Sequence, residues 1–167
     1  IIDKSPVVGV PVRIEGKSAG DRNWRTLATV TTGIDGKIEK AVLVGKSTAV
    51  RVYSDATWER TEGSSSEFPI TVNRLLVVTA PGTLKSASPA IITGNIRPRI
   101  AGASVQLEKM VGKDWKPLDV PVLTDAQGNF SLNLSAQSRG VHSFRISVAA
   151  DSLWSAVSSP IFNIIVR

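Results

Sequence analysis

The chain has 167 residues, enough for one or two domains, and its 42% hydrophobic and 20% charged content is globular composition that argues against disorder. It has no cysteine, which excludes disulfides, zinc–thiolate sites and cysteine nucleophiles, and its single histidine, His142, leaves little for metal or general-base chemistry. The net charge of +6 permits a polyanionic partner, yet the basic residues are scattered as single outward positions, which reads as a solvated cationic surface and not as a nucleic-acid site.

No apolar run reaches the roughly 18 to 20 residues of a membrane helix, so no transmembrane segment is expected. The chain starts at Ile1 without a methionine or signal sequence and reads as a piece of something longer.

Read from its start, the chain says most things twice. Gly9-Val10-Pro11-Val12-Arg13-Ile14-Glu15 answers to Gly102-Ala103-Ser104-Val105-Gln106-Leu107-Glu108, and Trp24 to Trp115. Val50-Arg51-Val52 answers to Phe144-Arg145-Ile146, and Asp55-Ala56-Thr57-Trp58 to Asp151-Ser152-Leu153-Trp154. A period of about 94 residues exceeds that of solenoid units, so each copy is expected to be a domain, residues 1–73 and 74–167.

Copy one has few residues before Gly9, whereas copy two spends 74 to about 100 on two strands before Gly102. The first copy is therefore expected to lack its initial strand or strands, its open edge covered by a neighbouring chain or an upstream segment. Its turn Ile34-Asp35-Gly36-Lys37 carries the Asp-Gly pair of a hairpin. Asn73-Arg74 joins the copies with no flexible spacer, which predicts a short, semi-rigid rod.

Copy two alternates apolar and polar residues in seven runs, near 75–80, 90–96, 103–109, 116–123, 129–134, 142–148 and 161–166, separated by Gly, Pro, Ser or Asp. The turn from Asp125 to Gly128 precedes Phe130, the first inward residue of its strand. No amphipathic helix is present to cover a parallel sheet. The expected fold is all-β: two tandem immunoglobulin-like antiparallel β-sandwich domains.

Residues Trp115-x-x-Leu118, Thr124-Asp125-Ala126-Gln127-Gly128-Asn129-Phe130, Phe144-Arg145-Ile146 and Ser158-Ser159 resemble the bacterial Ig-like repeats of secreted and surface-attached proteins. The Thr124–Phe130 stretch is also similar to carboxypeptidase-regulatory-like and Cna-B-type domains. Copy one departs from the pattern with Gly33 in place of Asp125 and Ile38 in place of Phe130. The resemblance implies an extracellular module of a cell-surface or secreted protein, strung beside other domains and serving as spacer, adhesion or wall-associated unit. Cna-B-type domains can carry a Lys–Asn crosslink, but parity turns Glu108 and Asn163 outward, against a crosslink with Lys85.

Catalytic constellations are missing from the sequence, and no cofactor or metal is expected. Parity with Phe144 and Ile146 places His142 on the inward face, as a packed or hydrogen-bonded residue and not a catalytic base. Asp119, Asp125 and Asp151 lack calcium-loop spacing, and the Asn129 and Asn133 sequons lie in a Ser-rich strand where chance suffices.

The candidate site is the tryptophan set: Trp24 with Trp115, and Trp58 with Trp154. Exposed indoles could stack on sugars of a glycan or cell-wall polymer; the plainer reading is a large apolar lid that each repeat needs. Strand counting places Trp154 at the pole where copy two begins, so Trp154, the Trp24 neighbourhood, Asn73 and Arg74 are the expected interdomain contacts, with Trp58 facing an upstream neighbour. The sequence thus predicts a non-enzymatic spacer and interaction module, with carbohydrate or wall-polymer binding as the alternative.

Overall fold

A computed structural model of the chain describes residues 6–167, none of which lies in a helix. Among them no helix is long and apolar enough to cross a membrane. The chain divides into two compact units, one ending at Val72 and the other running from Asn73 to Arg167.

The first unit is one antiparallel sheet of five strands: β1 (Pro11–Ser18), β2 (Arg25–Thr31), β3 (Thr48–Ser54), β4 (Gly63–Ser64) and β5 (Phe68–Ile70). β1 lies between β2 and β3, and β4 and β5 both pair with β3. The period of two sends Val12, Ile14, Val50 and Val52 to one face and Arg13, Glu15, Arg51 and Tyr53 to the other. Leu27 is an extra residue between Thr26 and Ala28, a bulge opposite Ile14 and Glu15. Its side chain covers Gly16, where a Cβ would come within 2.8 Å of Leu27 Cδ1 and 2.9 Å of Thr48 Cγ2, so a larger residue there requires these side chains to shift.

The second unit holds ten strands in two sheets. β6 (Leu75–Thr79), β8 (Ala90–Arg97) and β12 (Asn129–Leu134) form an antiparallel sheet with β8 in the centre. The facing sheet orders β10 (Asp114–Pro117), β9 (Ser104–Val111), β13 (Gly140–Val148), β15 (Phe162–Val166) and β7 (Thr83–Leu84), with β11 (Val122–Leu123) on β9 and β14 (Val157–Ser158) on β13. The expected purely antiparallel pairing fails at one place: β7 runs parallel to β15. Ala80-Pro81-Gly82 breaks the first strand, so the chain leaves one sheet after β6 and joins the other as β7.

One core joins the two sheets, with Ile92, Ile96, Phe130, Leu132 and Leu134 from one and Val105, Leu107, Phe144, Ile146, Val148, Ile164 and Val166 from the other. Burial of each such side chain stabilises the unit by about 1.5–3 kcal/mol, which is why alternation in these runs decides the fold. Gly94 sits under Phe130 in the β8–β12 register.

The repeat holds at the level of hydrogen bonds. Thr32 Oγ1 accepts the Val10 amide at 3.0 Å and donates to the Val7 carbonyl at 2.7 Å; Thr124 Oγ1 accepts the Ala103 amide at 3.0 Å and donates to the Ile100 carbonyl at 2.6 Å. Gly9 and Gly102, with φ of 74° and 76°, precede these pairs in the left-handed region. Ser65 Oγ accepts the Val52 amide as Ser159 Oγ accepts that of Ile146, each at 2.9 Å. β1, β3, β4 and β5 thus reproduce β9, β13, β14 and β15, and β2 reproduces β10 with β11.

Both copies of the Gly turn form, but neither closes a hairpin between paired strands. In the second unit the turn carries the chain from β11, which pairs β9, to β12, which pairs β8. It is a corner between sheets. In the first unit residues 38–44, which follow the same turn, lie in no strand. β12 pairs only with β8, and no described strand of the first unit stands in the place of β8.

Candidate functional site

The outer face of each sheet carries the same three side chains. Trp24 immediately precedes β2, Glu15 is on β1 and Arg51 on β3, so the strand of the acid lies between those that carry the indole and the guanidinium. Arg51 spans all three, its Cζ 4.3 Å from the Trp24 ring centre and its Nε and Nη2 at 3.0 and 2.9 Å from Glu15 Oε2. The other carboxylate oxygen accepts from Arg13 Nε at 3.3 Å, and Arg13 also stacks on Tyr53 and pairs with Asp55. In the second unit Trp115 is on β10, Glu108 on β9 and Arg145 on β13. Arg145 Cζ lies 4.6 Å from the Trp115 ring centre, with Nε 2.5 Å from Glu108 Oε2.

The chemistry of this clasp is that of a fixed cation on an aromatic face. The carboxylate removes the freedom of the guanidinium plane, and the ring quadrupole attracts the charge where water is partly excluded. One face of each indole is thereby occupied, and both rings are half-buried. Glu108 does point outward as parity predicts, but it is covered and not solvated: Arg145 lies over it and its side chain is 17% exposed.

Trp154 has a different partner. The side chain of Arg74, which is 1% exposed, lies 5.4 Å from the indole centre, donates to the Ala149 carbonyl at 2.7 Å and pairs with the Asp151 carboxylate. Arg74 immediately precedes β6, so Trp154 lies at the pole where the second unit begins, and Asn73 beside it is exposed. Asp151 Oδ1 accepts the amides of Leu153 and Trp154 at 2.8 and 3.0 Å, closing the turn that carries the indole. Burial works to raise the Asp151 pKa, but these amides and Arg74 outweigh it and hold the carboxyl below its ordinary value.

Trp58 does not copy Trp154. In the first unit the turn closes between Thr57 and Arg60, two residues later than the Asp151–Trp154 turn, and Asp55 faces Arg13 instead. Trp58 becomes the second residue of its turn, not the fourth, and is 92% exposed. The Asp55–Trp58 and Asp151–Trp154 stretches, equivalent in sequence, are therefore not equivalent in structure.

The four tryptophans therefore make two matched clasps, one separately held ring and one exposed ring. The clasp partners were readable as Val50-Arg51-Val52 and Phe144-Arg145-Ile146, outward arginines in both copies. What the sequence did not supply was the strand register that puts each arginine across from a glutamate.

His142 is half-buried on the expected face, its Nε2 2.7 Å from the Ser138 carbonyl and its ring tilted against Phe144 at 6.4 Å. Lys85 and Asn163 are exposed, and Asn163 Oδ1 accepts from Ser143. Among the described residues no group of three or more His, Cys, Asp or Glu side chains converges to hold a metal. No protein-family model matches the chain, and no curated protein matches it in sequence.

Proposed function

We propose that the chain is a non-enzymatic pair of immunoglobulin-like β-sandwich repeats that serves as spacer and interaction module of a surface or secreted bacterial protein. The observation that carries this reading is the identical Trp–Arg–Glu clasp in both units. A ligand platform would be expected to present its aromatic face to solvent; these faces are used to hold three neighbouring strands together. The sheet topology of the second unit, in which one strand segment leaves its sheet to pair in parallel with the last strand, also supports a sandwich of this class.

Trp58 favours the second reading, carbohydrate or wall-polymer binding, because its ring is open to stacking. A glycan array and a pull-down on purified wall polymer, run with the chain and with Trp58→Ala, separate the two. The spacer reading expects no saturable binding by either protein. Saturable binding lost in Trp58→Ala would replace it with the lectin-like reading.

A further inference from the structure

The inward face of the first unit is built like that of the second but is less fully covered. Val12 and Ile14 are buried, as are their counterparts Val105 and Leu107 beneath the β6–β8–β12 sheet, but Val52 is only half-buried where its counterpart Ile146 is 0% exposed, and Val10 beside it is half-buried too. Two cavities, of about 350 and 330 Å³, share walls formed by Val10, Val12, Ser54 and Arg60. The counterparts of three of these in the second unit, Ala103, Val105 and Val148, belong to the same core as Leu76 and Ile96 of β6 and β8. Asp35 and Gly36, which line the second cavity, belong to a turn equivalent to the one that leads into β12, and residues 38–44 that follow it pair with no described strand.

From these observations we infer that the first unit accepts an extended strand segment of the β6–β8 kind from another copy of this repeat. It pairs with residues 38–44 as β8 pairs with β12 and lays branched apolar side chains over Val10 and Val12. The occupant is defined by chemistry visible in the second unit: apolar residues at every second position, as in Leu76, Ile92 and Ile96, with polar residues between. Ile38, Val42 and Val44 supply half-buried apolar positions on the receiving segment, whereas Leu43 is 99% exposed. Backbone hydrogen bonds would give such an addition its affinity and the alternating side chains its register. This inference rests on reading the two units as copies of one sandwich, and it is independent of whether the module binds glycans.

The test uses the full chain with a copy of residues 73–99 tethered ahead of residue 1 by a flexible Gly/Ser linker, which makes pairing effectively intramolecular. Hydrogen exchange is followed amide by amide. The expected result is about tenfold or greater slowing at residues 38–44, with 129–134 unchanged because β8 already occupies that site. A second version carries serine at the tethered positions copied from Leu76, Ile92 and Ile96 and is expected to give no slowing. Unchanged exchange at 38–44 with the first tether, or equal slowing with both, would overturn the proposal.

Discussion

The Arg145 guanidinium lies 4.6 Å from the centre of the Trp115 ring while its Nε donates to Glu108, so one side chain ties three strands of the larger sheet. Lysine cannot reproduce a planar stack and a directed Nε bond together. Arg145→Lys is expected to destabilise the second unit by about 1 kcal/mol despite keeping the charge, read as a lower urea midpoint with an unchanged slope.

Gly94 is a packing requirement and not a turn residue. A Cβ there would come 2.2 Å from the Val77 carbonyl oxygen and 2.4 Å from Phe130 Cζ. Gly94→Ala is expected to cost about 1–3 kcal/mol by forcing β6 or the Phe130 ring aside. Gly63→Ala, where an added Cβ meets nothing within 4 Å, is the control and should leave the melting temperature unchanged or slightly raised.

Arg74 and Trp58 should respond oppositely to truncation. Removing the buried Arg74 side chain leaves the Ala149 carbonyl without its donor and the half-exposed Asp151 carboxylate without its guanidinium, an effect of about 1–3 kcal/mol for lost charge-assisted hydrogen bonds. Trp58→Ala should fall within about 0.5 kcal/mol of the parent, since the ring is almost wholly in solvent. Chemical denaturation of the two variants side by side checks both.

Acid should weaken the fold through its turn aspartates. The Asn129 backbone amide first, with further donors, holds Asp125 below its ordinary pKa, and the Lys37 amide does the same for Asp35. The folded state therefore binds fewer protons than the unfolded one near these values. Their contribution is complete above the unfolded aspartate pKa, about 3.9, and is lost as pH falls through the lower folded values. A urea midpoint measured against pH should be flat near neutrality and fall below about pH 4. Asp125→Asn should flatten that fall, because the amide still accepts from Gln127 and Asn129 but does not titrate.

Much of this was legible in the sequence because it is written in alternation and turn chemistry. Phe130, Leu132 and Leu134 announce β12, and Gly128, at φ 77°, closes the turn before it. The break at Ala80-Pro81-Gly82 was visible as well, but its consequence was not: whether a broken strand resumes in the same sheet depends on a distant partner, here β15. Residues 38–44 show the same limit, since a segment with strand-like composition pairs only if its partner is present. Trp58 illustrates a third. A two-residue shift in where a turn closes moves an indole from a held position to solvent while the residue spacing on paper stays the same.

That one clasp is used in both units is tested most directly by double-mutant cycles on its two copies, Trp24→Leu with Arg51→Met and Trp115→Leu with Arg145→Met, measured by hydrogen exchange within each unit. Coupling energies of about 0.5–2 kcal/mol in both cycles, with the same sign, are the predicted result. Additive effects within about 0.3 kcal/mol in either cycle would contradict it and return that tryptophan to the pool of ligand-binding candidates.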